Sequence, residues 1–297
     1  MSRYLGSLAI VLASILWGTT GTVATFAPSL SSLFIGAVAM GIGGILQCVL
    51  AIPQIIKERD LLTQHIYFLI VGAVAVMIYP LAFYSSMRLS GVTIGTVVSI
   101  GSAPILSAII EYVKGDFHLT KRWLIGAMFG ILGMILLSFA ENHSTTIENN
   151  HIIFGILLGL IAGFTYALYS WSARQLMLKT ISTTSAMGAT FGCGGILLIP
   201  VMVLTGSGLF DSLTNISVCV YMALIPMFLG YLCYGYGLSK ISASSAITIS
   251  LLEPVIAAIL AMLIIGEKMS LVGWLGVVLI FMCLIFVTLS SITNSSP

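Results

Sequence analysis

The 297-residue chain is 59% apolar and 7% charged, whereas about a quarter of the residues in a soluble domain carry charge, so a soluble fold is excluded. Eleven Lys and Arg against nine Asp and Glu leave a formal net charge of +2. That is too few charges, too evenly balanced, to hold a phosphate backbone by counterion release, and no nucleic-acid partner is expected.

Met1-Ser2-Arg3 ahead of an apolar run resembles the start of a signal peptide. The run continues for about twenty residues and others follow, so it reads as a retained first membrane span. Runs long enough to cross the hydrocarbon core fall at 5–26, 32–55, 66–87, 91–113 and 123–140. After the polar stretch Glu141 to His151, five more fall at 152–174, 185–206, 217–238, 242–265 and 272–292. The expected fold is an all-α integral membrane protein of ten transmembrane helices. It divides into a five-helix unit at 1–140, an extracytoplasmic connector at 141–151 and a second unit at 152–297.

Basic residues orient the spans, because short cytoplasmic loops carry the excess of Lys and Arg. With the amino terminus inside, Arg3, Lys57, Arg59, Lys114, Lys121, Arg122, Arg174, Lys179 and Lys240 are cytoplasmic and only Arg88 and Lys268 lie outside. Ten spans return the carboxyl terminus, Asn294 to Pro297, to the cytoplasm.

The halves match at an offset of about 150 residues. Gly41-Ile42-Gly43-Gly44-Ile45-Leu46 recurs as Gly192-Cys193-Gly194-Gly195-Ile196-Leu197, and Tyr84, Pro104, Trp123 and Gly126 fall opposite Tyr234, Pro254, Trp274 and Gly276. Trp17-Gly18 falls opposite Tyr166-Ala167. Because each unit has an odd number of spans, the second is inverted relative to the first. Inverted repeats characterise secondary transporters, whose substrate sits near the midplane between the halves. A channel, or a duplication without functional meaning, is the competing reading.

Glu253, near the middle of the ninth span, is costly at that depth, on the order of 2.5 to 3.5 kcal/mol on insertion scales. It admits two readings: a proton acceptor or counter-ion for a cationic substrate group, or a carboxyl bonded to neighbouring hydroxyls. The equivalent first-half residue is Ala103, so packing symmetry does not require a carboxylate there. Pro104 and Pro254 each withhold an amide from their helix, freeing the carbonyls of Ile100 and Ser250 as ligand groups or hinges. Thr96 and Ser99 stack on the fourth span, and Ala246, Ser250 and Glu253 share a face of the ninth. Trp17, Tyr166, Tyr231 and Tyr234 fall near mid-span, suited to lining a pocket or to packing. Gly126-x-x-x-Gly130, Gly155-x-x-x-Gly159-x-x-x-Gly163 and Gly188-x-x-x-Gly192 favour close helix approach. Glu111, Lys114 and Asp116, and Glu267-Lys268 in the other half, are candidate ion pairs closing opposite gates.

Catalytic material is scarce. His65, His118, His143 and His151 all fall in expected loops, no phosphate-binding loop is present, and Glu253 has no acidic companion at depth, so no enzyme is expected. The cysteines Cys48, Cys193, Cys219, Cys233 and Cys283 lack metal-ligand spacing and read as packing residues. Neither metal nor cofactor is expected. The Asn-x-Ser matches at Asn142 and Asn215 would bear glycans only in a glycosylating secretory pathway.

Leu252-Glu253-Pro254-Val255 with Gly266-Glu267 downstream, Leu16-Trp17-Gly18, and Ala243-Ser244-Ser245-Ala246 leading into the ninth span resemble the EamA-type branch of the drug/metabolite transporter superfamily. The first-repeat counterpart, Ser102-Ala103-Pro104-Ile105 with Gly115-Asp116, matches more loosely. The resemblance implies a multi-pass carrier of the prokaryotic cytoplasmic membrane working by alternating access, with a central cavity exposing Trp17, Tyr84, Thr96, Ser99, Tyr166, Tyr234, Ser250 and Glu253. The expected partners are the lipid bilayer, a small polar solute and protons, and the expected activity is proton-coupled export of an amino acid. Transport of a cationic amine or drug is the alternative.

Overall fold

The computed structural model describes residues 2–115, 120–140, 149–265 and 269–293. Asp116, His118, Gly266, Glu267, Lys268, the connector residues 141–148 with Asn142 and His143, and the tail from Asn294 lie outside the described residues. Ten helices there are long and apolar enough to cross a membrane, numbered here as spans 1 to 10: Ser2–Ala24, Ser32–Lys57, Ile66–Ser90, Ile94–Val113, Lys121–Ser138, His151–Leu178, Thr183–Thr205, Leu213–Leu238, Ala243–Ile264 and Leu271–Leu289. No strand occurs among the described residues. The protein is an all-α, multi-pass membrane protein.

Serines set several starts. Ser31, Ser182, Ser212 and Ser242 are extended residues whose hydroxyls accept from the amides of Phe34, Ser185, Asn215 and Ser245, capping spans 2, 7, 8 and 9. Each cap satisfies one of the amides that a helix start leaves without a partner. Short links make successive spans antiparallel. Spans 1, 3, 5, 7 and 9 therefore begin at the face that holds the amino terminus, called here the amino-terminal face, and the even-numbered spans begin at the opposite face.

The packing has the symmetry of an inverted repeat. Span 2 runs along span 7 and span 5 along span 10, each with its own equivalent; span 3 packs on span 6 as span 8 packs on span 1, and span 4 on span 6 as span 9 on span 1. Repeated glycines make the self-paired contacts possible. A Cβ on Gly44 would lie 2.3 Å from the Phe191 carbonyl oxygen, and one on Gly195 2.5 Å from that of Gly41. Between spans 5 and 10, Gly133 and Gly276 would place theirs 2.7 and 2.5 Å from each other's carbonyl oxygens. Such approach gives dispersion contact where no hydrophobic force drives helices together.

The second half departs from regular helix where the first does not. Span 8 widens into a π-helix at Ala223–Leu229, around Pro226. Span 9 is built from a helix Ala243–Ile249, a 3-10 turn Ser250–Leu252, a helix Glu253–Leu260 and a π-helix Ala261–Ile265. The expected freed carbonyl at Ser250 is thus corrected: the Glu253 amide donates to it across the turn. Pro254 opens a new helix, where its missing amide costs nothing. Pro104 stays buried inside the uninterrupted helix Val92–Val113.

A six-residue helix, Arg59–Gln64, separates spans 2 and 3. Just before it, Glu58 ties span 2 to span 7: its carboxylate accepts from the Ser182 amide and hydroxyl, both at 3.0 Å, and from Gln54 at 2.8 Å. Burial pushes this carboxyl up, but these hydrogen bonds outweigh it and hold it below the usual carboxylate range. A lowered folded-state pKa adds stability that is present above the unfolded pKa and lost as pH falls through the folded one. The thermal stability lost in Glu58→Gln at pH 7 should therefore persist down to about pH 4 and shrink towards zero only as the pH falls further, through the folded-state value, in melting curves of detergent-purified protein. Gly133→Val should destabilise by about 1–3 kcal/mol through overpacking, whereas Gly21→Ala, which meets open space, should not.

Candidate functional site

A cavity of about 500 Å³ occupies the opposite-face half of the bundle. Its walls come from the end of span 1 (Trp17, Thr20, Gly21, Thr22, Thr25), the end of span 3 (Phe83, Tyr84, Met87), the start of span 4 (Val92, Thr96, Ile100), Ser138 on span 5 and the outer part of span 9 (Glu253, Pro254, Ala257, Ala261). All these span ends lie at the opposite face, which defines the direction of access. Glu253 stands at the inner end, where span 9 breaks. It is partly exposed to the cavity and is the one charged residue among those that line it. No described residue donates a hydrogen bond to its carboxylate.

The backbone around Glu253 follows from its sequence. Gly18 lets span 1 close on the break: a Cβ there would lie 2.9 Å from the Glu253 carbonyl oxygen and 2.5 Å from the Ile256 Cβ. Opposite, the π-helix of span 8 presents carbonyls to other spans. The Trp17 indole donates to the Pro226 carbonyl at 2.9 Å, and the Gln47 amide to that of Met227 at 3.2 Å. Gly230 provides the space, since a Cβ would meet the Trp17 indole nitrogen at 2.8 Å. Trp17 is thereby fixed between cavity and core.

Beneath Glu253, towards the amino-terminal face, the path is filled. Trp17 packs on Tyr231 and Tyr234 at 4.8 and 5.1 Å between ring centroids, and Tyr166 on Tyr169 at 5.3 Å. Three hydroxyl pairs bind this layer: Tyr166 with Ser250 at 2.8 Å, Tyr169 with Tyr231 at 2.8 Å, and Ser170 with Tyr234 at 2.9 Å. Paired hydroxyls of this kind allow tyrosines to pack at membrane depth, where an unmet polar atom is costly.

Of the residues selected from sequence, the cavity brings together Trp17, Tyr84, Thr96, Glu253 and Pro254. Tyr166, Tyr234 and Ser250 lie in the packed layer below, Ser99 is buried, and Pro104 is buried on span 4. Thr20, Thr22, Thr25, Phe83, Met87 and Ser138 were not anticipated. Thr20-x-Thr22-x-x-Thr25 is a run of hydroxyls at a span end, a usable signal. Nothing local marks Phe83 or Met87, whose role depends on which side of span 3 meets the cavity.

The profile of the EamA-like transporter family matches residues 4–139 and again residues 153–289. Among relatives, an uncharacterized transporter of Bacillus subtilis, YwfM, is 31% identical over 290 residues, covering 95% of this chain and 93% of its own. A probable terminal-alkyne amino-acid exporter of Streptantibioticus cattleyicolor is 21% identical, covering 88% of this chain and 90% of its own. One crystal structure, 16% identical, superposes with a TM-score of 0.80 over 98% of this chain and 99% of that one, a likeness of fold.

Thiol chemistry reads the asymmetry of the bundle. With the five native cysteines replaced, Ala257→Cys should react with a water-soluble maleimide, whereas Ser170→Cys, within the filled layer, should react at least about tenfold more slowly. Equal rates would mean that no such layer separates the cavity from the amino-terminal face.

Proposed function

The chain belongs to the EamA-like transporter family, and on that premise we propose that it is a proton-coupled carrier exporting a small solute with a protonated amino group. It is a transporter and not an enzyme, as its relatives are named. The observation that carries the reading is the Glu253 carboxylate, at the inner end of the cavity with no hydrogen-bond donor among the described residues. A carboxylate there attracts either a proton or an ammonium group, and competition between the two couples their movements. Trp17, Phe83, Tyr84 and Met87 supply apolar and aromatic walls for the solute's body. Thr96 and the hydroxyls of span 1 supply hydrogen bonds.

In this reading Ser99, Tyr166, Tyr234 and Ser250 line the site when the amino-terminal half opens, and Pro104 and Pro254 mark where spans 4 and 9 bend. The units 1–140 and 152–297 move against each other. The excess of basic residues at the amino-terminal face supports a cytoplasmic placement of both termini, and the bacterial relatives support the cytoplasmic membrane. Solute then enters from the cytoplasm and leaves by the cavity as a proton returns.

Two kinds of solute fit the class. The amino-acid exporter among the relatives supports an amino acid. The lining favours an amine without a carboxylate, because no Lys, Arg or His stands among the described lining residues to meet one. In proteoliposomes, flux of aromatic amines should saturate, respond to a pH gradient and exceed that of the corresponding amino acids. Glu253→Gln should abolish the response to the gradient. Equal gradient-driven flux in a well-folded variant would remove Glu253 from the mechanism.

A further inference from the structure

Glu111 lies near the end of span 4 at the amino-terminal face and is buried to 1% exposure. Sequence alone offers it an ion pair with its neighbours, but the structure gives it another role. One carboxylate oxygen accepts from the Ala243 amide at 2.9 Å and the other from the Ser244 amide at 3.0 Å. It thus holds the first amides of span 9, where a negative charge is favoured by the helix dipole. Arg174, at the end of span 6, donates to the carbonyls of Leu238 and Ile241 and is near enough to attract Glu111. Spans 4, 6, 8 and 9 are joined at one point.

Span 9 leaves span 4 further along. Its first segment, Ala243–Ile249, packs on span 4, whereas Glu253–Leu260, after the 3-10 turn, packs chiefly on span 1. The offset that pairs Pro104 with Pro254 pairs Glu111 with Ala261. Ala261 lines the cavity, and the opposite-face start of the span 4 helix, at Val92, has no side-chain cap. The pairing of the spans keeps the symmetry of the repeat, while the carboxylate is present on one side only.

We propose that Glu111 is the latch of the amino-terminal gate, and that Ala261 in place of a second latch makes the cavity face the opposite side at rest. Opening the amino-terminal half requires the Glu111 carboxylate to release the amides of Ala243 and Ser244 as the start of span 9 parts from span 4. The inference rests on alternating access but not on any choice of solute.

Labelling in detergent needs no transported solute and so separates the two. In the cysteine-free background, Ala257→Cys reports the cavity and Ala246→Cys, buried one turn into span 9, reports the amino-terminal gate. Adding Glu111→Gln should raise the reaction rate of the thiol at 246 and lower that at 257, each by about tenfold for the loss of a charge-assisted pair of hydrogen bonds. A disturbed fold would raise both rates, which would overturn the latch, as would unchanged rates. Independently, Ala261→Glu with Glu111 kept should slow labelling at 257 by supplying the missing carboxylate to the start of span 4; an unaltered rate there would contradict the symmetry argument. Reciprocal changes together with failed amine transport would leave the latch standing and remove only the solute.

Discussion

A carbonyl, hydroxyl or carboxylate in hydrocarbon must find its partner within the protein, and this constraint organises the second half of the molecule. Where span 8 widens at Pro226, Trp17 and Gln47 reach from spans 1 and 2 to its carbonyls. Where four tyrosines meet at depth, their hydroxyls pair with one another or with serines. Where span 9 begins, buried at the amino-terminal face, Glu111 takes its amides. Against these satisfied groups Glu253 stands apart, a carboxylate facing a cavity without a donor.

The same bonds shape the cavity. Side chains that answer backbone groups of spans 8 and 9 also bring aromatic rings and spans together beneath Glu253, so the amino-terminal half is filled and the other half is open. Glycines at the span 2–span 7 and span 5–span 10 contacts keep the halves in close backbone contact. The irregular helices of spans 8 and 9, with the polar bonds made to them, break the symmetry of the repeat, and the cavity lies on one side of that break.

Much of the fold was legible in the sequence, because bilayer thickness fixes the length of each apolar run and the Gly41–Leu46 and Gly192–Leu197 matches reveal the repeat. Glu253 and Pro254 were legible for the same reason: a charge at depth and a withheld amide are exceptional in any apolar run. The 3-10 turn at Ser250–Leu252 and the π-helix around Pro226 were not, since both depend on bonds from distant spans. Tyr166, Tyr234 and Ser250 were selected as cavity residues, yet they are packed, because a hydroxyl on a helix does not reveal whether it faces space or another hydroxyl. The bond from Glu111 to the start of span 9 crosses more than a hundred residues and has no local signature.

If proton and solute share Glu253, binding must displace one by the other. The direct measurement is proton release on adding an aromatic amine to detergent-purified protein in weakly buffered solution, together with the amine's affinity across pH. The account predicts proton release that tracks amine binding, an affinity that falls as the pH is lowered, and loss of both effects in Glu253→Gln. Amine binding with no proton release and no dependence on pH would contradict it.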